Sequence, residues 1–102
     1  MGFNAPDQAT LEQYRNAAEK EHRDYWAANG GSPNPDSFFP GYERGWNDAK
    51  AALSSGNDTP EGDELANWAK TRSGETGQPE DSWEWEHGFK RGAADVKHAG
   101  SQ

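Results

Sequence analysis

Two clusters of carboxylates offer the first candidate chemistry. Asp58, Glu61, Asp63 and Glu64 crowd one stretch, and Glu80, Asp81, Glu84 and Glu86 crowd another, with Trp83 set inside the second. Carboxylates at this density can imitate the phosphates of a nucleic acid and dock on a basic protein surface, with an indole as anchor. The same residues also suit a simpler purpose. Each cluster stands at the start of an expected helix, where negative side chains complement the positive end of the helix dipole. Because the two starts are equivalent, the clusters are expected to line one edge.

Metal and catalytic chemistry find less support. The three histidines are His22, His87 and His98. Glu19 precedes His22 by one helical turn and Glu84 precedes His87 likewise, but there is no HExxH pattern, so solvated surface histidines are expected and no metal or cofactor is assigned. The acidic stretch 57–63 departs from the EF-hand order, and Pro60 would disrupt that loop. Paired carboxylates beside tryptophans would suit glycoside hydrolysis, yet Trp46, Trp85 and Phe89 recur at helical spacing and read as core. Trp83 and Phe39 lie at loop-to-helix entries and are the candidate exposed aromatics, with packing as a hydrophobic staple the competing role. GxSxG, Walker and dinucleotide motifs are absent, so an enzyme is not expected. Arg44, Lys90 and Arg91 are the few basic residues near aromatics, diluted by Glu43, Asp48 and Glu86.

Composition narrows the class. The chain has 102 residues, read as a single domain over 1–102. Aliphatic side chains are scarce: Leu11, Leu53, Leu65 and Val96, with no isoleucine. Aromatic residues reach 12%, including five tryptophans, and each can bury roughly 150–250 Å². The core is therefore expected to be aromatic and small. A net charge of −8 argues against direct nucleic-acid binding, which relies on a basic face. With no cysteine, thiolate and disulfide chemistry is excluded. No apolar run approaches the roughly 20 residues needed to span a bilayer. The N-terminus has no signal-peptide pattern, and a cytoplasmic location is expected.

An internal duplication organises the elements that carry these residues. Tyr42-Glu43-Arg44-Gly45-Trp46 aligns with Trp85-Glu86-His87-Gly88-Phe89, and the match continues with Ala49 to Gly92, Ala51 to Ala94 and Leu53 to Val96. Upstream, Trp26-Ala27 corresponds to Trp68-Ala69. Repeat unit one covers about 5–55 and unit two about 58–98. Tyr42, Trp46, Ala49 and Leu53 keep the spacing of one helix face, as do Trp85, Phe89, Gly92 and Val96. Gly45 and Gly88 each cost about 1 kcal/mol of helix propensity, so a backbone or ring is expected close against them. The first helix starts within Asn4–Thr10 and ends near Ala28, with Leu11, Tyr14, Ala18 and Tyr25 or Trp26 inward, before Asn29-Gly30-Gly31. Thr59-Pro60-Glu61 opens the third helix, which ends by Ser73-Gly74 and turns Leu65, Trp68 and Ala69 inward. Ser82 or Asp81 caps the fourth. Loops are expected at 30–40, 54–59 and 73–81, and fraying at 98–102. The expected fold is all-α: four helices as two repeated αα-hairpins around an aromatic core.

The stretch from Tyr25 to Ala49, with Phe38 and Phe39 ahead of Tyr42-Glu43-Arg44-Gly45-Trp46-Asn47-Asp48-Ala49, resembles the ribosome modulation factor family, and 68–92 is a degenerate second copy. That resemblance implies a helix–loop–helix fold and a ribosome-associated, translation-modulating role. The family's basic surface is missing from this acidic chain. The residues themselves point first to a non-enzymatic protein that binds and modulates a basic, nucleic-acid-handling protein, in the style of a phage or mobile-element inhibitor. The interface would be Asp58, Glu61, Asp63, Glu64, Glu80, Asp81, Trp83, Glu84 and Glu86. A third expectation is a small ligand held in an aromatic cleft. The repeat allows either a monomer or a homodimer.

Overall fold

The computed structural model describes residues 3–30, 35–76 and 82–100. They form four helices: α1 (Gln8–Ala28), α2 (Pro35–Ser54), α3 (Gly62–Thr76) and α4 (Ser82–Gly100). No strand occurs among the described residues, and no helix among them is long and apolar enough to cross a membrane. The all-α, four-helix architecture is thus the observed one.

Local chemistry sets most boundaries. Asp7 caps α1, its carboxylate accepting from the Thr10 backbone N–H at 2.9 Å and from the Thr10 hydroxyl at 2.8 Å. Those bonds hold the Asp7 carboxyl below its ordinary range. Asn29 ends α1, followed by Gly30 at φ +76°. Four expectations need correction. α2 starts at Pro35, not beyond Pro40; Pro35 at the first position loses no intrahelical bond, Pro40 inside the helix forgoes one, and helical geometry stacks Phe38 on His22. α3 starts at Gly62, whose φ is +60°, so Thr59 is no cap; its N–H is taken by the Asp58 side chain. α3 also runs past Gly74 to Thr76. α4 does not fray at His98: the Asn4 N–H donates to the Gly100 carbonyl at 3.0 Å, and the Phe3 ring covers Gly100.

The centre of the molecule is the α2–α4 contact. Phe38, Tyr42, Trp46 and Ala49 of α2 are buried with Trp85, Phe89, Ala93 and Val96 of α4. The helices run parallel, and glycines let their backbones touch. A Cβ at Gly41 would collide with the Trp85 carbonyl, and one at Gly45 with the Phe89 carbonyl. In exchange, a Cβ at Gly88 would strike the Phe38 carbonyl, and one at Gly92 the Tyr42 carbonyl. The close approach expected at Gly45 and Gly88 is observed. The correspondence it defines differs from the sequence alignment by one helical turn: Gly41 matches Gly88 and Gly45 matches Gly92, so Phe38 matches Trp85 and Tyr42 matches Phe89. Tyr42 closes the seam by donating to Asp95 at 2.6 Å, and burial, then that bond, pushes its phenol pKa up.

α1 and α3 flank this pair. α1 lies antiparallel to α2 and α4, with Tyr14 near Trp46 and His98, and His22 near Phe38 and His87. Leu11, Ala18 and His22 are buried, and Trp26, not Tyr25, turns inward. α3 lies antiparallel to α4, with Ala69 buried and Trp68 edge-on to Phe89.

Candidate ligand groove

The antiparallel arrangement of α3 and α4 separates the two acidic clusters. Lys97, near the end of α4, bonds Asp58 at 3.0 Å and Glu61 at 3.1 Å, at the start of α3. These bonds hold the Lys97 ammonium above, and Asp58 below, its ordinary pKa. Glu84 sits thirteen positions earlier on α4, roughly 20 Å along the helix axis. The start of α3 and the start of α4 therefore lie at opposite ends of the hairpin and line no common edge. Asp63 and Glu64 are exposed in the first turn of α3 and Glu86 is half-buried. Glu80 and Asp81 lie outside the described residues. Glu84 departs from expectation most: it is 9% exposed and packs inward.

What Glu84 meets is His22, itself only 6% exposed and not the solvated histidine expected. The His22 Nε2 lies 3.2 Å from a Glu84 carboxylate oxygen and 3.1 Å from the Trp26 indole nitrogen. An indole N–H can only donate. Unprotonated, Nε2 accepts from Trp26; protonated, it donates to Glu84. One buried nitrogen thus chooses between two partners, and its ring is fixed by stacking on Phe38 at 4.5 Å.

Above this buried layer lies an open groove of about 560 Å³ between α1 and α4. Tyr25 and Glu21 line its α1 side, Trp83, His87, Lys90 and Arg91 its α4 side, with His22 and Phe38 at the floor. Trp83 stacks flat on His87, one turn along the same helix, with centroids 5.0 Å apart, and meets Trp26 edge-on at 5.2 Å. The staple role is thus not the one Trp83 adopts. Tyr25 and Trp83 are the exposed large apolar side chains, at 57% and 51%. Phe39, the other anchor candidate, is half-buried under the Arg15 guanidinium. Burial first, then the charges of Lys90 and His22, hold the His87 pKa below its ordinary value, because its ring face lies on Trp83 even though much of the residue meets solvent. At neutral pH it is uncharged, able to donate from one nitrogen and accept at the other.

The groove's carboxylates are engaged. Glu21 pairs with Arg91 at 2.6 Å, and Arg91 also bonds Asp95 at 3.0 Å. Glu84 is buried against His22 and does not line the groove. No group of three or more His, Asp or Glu side chains is disposed to hold a metal ion among the described residues. The sequence did carry part of the groove's signal: His22 and Trp26, and Trp83 and His87, stand at i,i+4 on their helices. It did not carry the pairing across helices, where Glu84 goes to His22 instead of its helical neighbour His87.

Fold and site together define a small all-helical module with a concavity walled by exposed aromatic rings and a neutral imidazole. Residues 7–100 match the family described as the glucan 1,3-beta-glucosidase 3 C-terminal domain, and the chain belongs to that family. No curated protein and no solved structure matches it.

Proposed function

We propose that this domain is a non-catalytic saccharide-binding module, with the groove between α1 and α4 as its site. The observation that carries the reading is the pair of half-exposed rings, Tyr25 and Trp83, facing one concavity. Exposed aromatic faces flanked by a few polar groups are what a ligand with an apolar face and hydroxyl edges needs. The family's name supplies the polymer class: glucan with 1,3-beta linkages. Hydrolysis would need two carboxylates astride the scissile bond, one to protonate and one to attack or to activate water. Glu21, which lines the groove, is tied to Arg91, and Glu84 is buried against His22 beneath it, so binding suits the arrangement better than cleavage.

The acidic-surface reading draws less support, since Asp58 and Glu61 share Lys97, and Glu84 is buried at the opposite end of the α3–α4 hairpin. The test is calorimetric titration with laminari-oligosaccharides. With only two exposed platforms, the Kd is expected on the order of 0.1–1 mM, about −4 to −5.5 kcal/mol. Trp83→Ala should abolish the heat while leaving the far-ultraviolet dichroism unchanged. No heat at millimolar oligosaccharide with a folded domain would reject the reading.

A further inference from the structure

Among the described residues that line the groove, the unpaired charge has the opposite sign to that of the chain. Net charge is −8, yet both carboxylates that approach the groove are used internally, Glu21 by Arg91 and Glu84 by His22. Arg91 is held twice, by Glu21 and Asp95. Lys90 differs. Its half-buried side chain lines the groove, and among the described residues no carboxylate forms an ion pair with it. Lys50 and Lys70 share that freedom but stand outside the groove. The ammonium lies near enough to His87 to help, after burial, in keeping that imidazole uncharged at neutral pH. Among the described residues that line the groove, a cationic ligand would find no free carboxylate, whereas an anion would find one positive charge beside a neutral donor and two exposed rings.

We propose that the groove's ligand is a saccharide bearing an anionic group, a uronate or a phosphate ester, with a sugar face on Trp83 and the anion on Lys90. This rests on the saccharide-binding reading of the same groove and adds its charge preference. With its stem half-buried against the groove, the Lys90 ammonium is held beside the ligand, and a pair of this kind is worth up to about 1 kcal/mol, roughly fivefold in affinity.

The test compares three probes by calorimetry: laminaritriose, the same trisaccharide with its terminal C6 oxidised to a carboxylate, and the trisaccharide phosphorylated at that C6. At least one anionic probe should bind about fivefold more tightly than the neutral one at low ionic strength. The preference should shrink as salt is added. Lys90→Gln should remove the preference, and Lys70→Gln should retain it. Equal affinities for all three, or a preference that survives Lys90→Gln, would overturn the proposal and leave the groove reading standing. Failure of all three to bind would overturn both.

Discussion

Trp83 lies flat on His87, with ring centroids 5.0 Å apart and 17° between the ring planes. The stack presents one broad face of α4 to the groove and leaves half of the indole in solvent. Replacing Trp83 by Ala should cost at most about 2–3 kcal/mol of stability, because only about half of the ring's area is removed from water on folding. The same change should weaken oligosaccharide binding at least about tenfold, some 1.4 kcal/mol. Chemical denaturation and calorimetry on one variant separate the two effects. A larger loss of stability would mean that Trp83 is core and not platform.

The stack also makes stability depend on pH. The His87 pKa is lowered from 6.5 in the folded state, so the unfolded chain binds the proton more readily. The contribution is fully present above pH 6.5 and is lost as pH falls through the folded value. Melting temperature should therefore decline on going from pH 7.5 to 5, and His87→Gln should reduce that decline. An unchanged slope in the variant would assign the acid sensitivity elsewhere, with Asp7, whose pKa is also lowered, contributing only at more acidic pH.

Gly45 and Gly88 test the α2–α4 contact. A methyl group there meets backbone carbonyl oxygens, which cannot move aside. Overpacking of this kind costs typically about 1–3 kcal/mol and occasionally more, against a gain in helix propensity of about 1 kcal/mol. Both Gly→Ala variants should be net destabilised in urea titrations. Gly74→Ala, with nothing within 4 Å of the new Cβ, should instead be stabilised by up to about 1 kcal/mol.

Glu84 should prove to be an internal ligand of the fold. Glu84→Ala leaves a gap beside buried His22, whose Nε2 keeps only Trp26 as a partner among the described residues, and should cost about 1–3 kcal/mol, whereas Glu84→Gln, which keeps a hydrogen-bonding amide, should cost less. Equal, negligible losses in denaturant titrations would return Glu84 to the surface.

How much of this was legible in the chain follows from the range of the forces involved. Helical periodicity and the inward set of α2 and α4 are local properties, so Trp46, Trp85 and Phe89 were readable as core. Breakers misled where tertiary contact outweighed propensity. Pro40 reads as a loop, yet Phe38 stacks on His22 and draws helix ahead of it. Gly100 reads as a frayed end, yet Phe3 and Asn4 close over it. The close contact at the α2 and α4 glycines was legible but its register was not. Aromatic identity favoured aligning Tyr42 with Trp85, whereas backbone contact pairs Gly41-x-x-x-Gly45 with Gly88-x-x-x-Gly92. The groove was least legible of all, because it is made between helices. His22, Tyr25, Trp83, His87 and Lys90 come from two distant stretches, and only packing decides that Trp83 stays exposed while Glu84 beside it is buried.

The most direct test of the central claim is a ¹⁵N–¹H correlation spectrum recorded while laminari-oligosaccharide is titrated into the labelled domain. The saccharide-binding account predicts saturable shifts concentrated at the Trp83 indole N–H and at the amides of Tyr25, His87 and Lys90. The α3 amides and the acidic turn at Asp63 and Glu64 should stay unmoved. A spectrum that does not change at millimolar oligosaccharide, or shifts gathered on the α3 face, would contradict it.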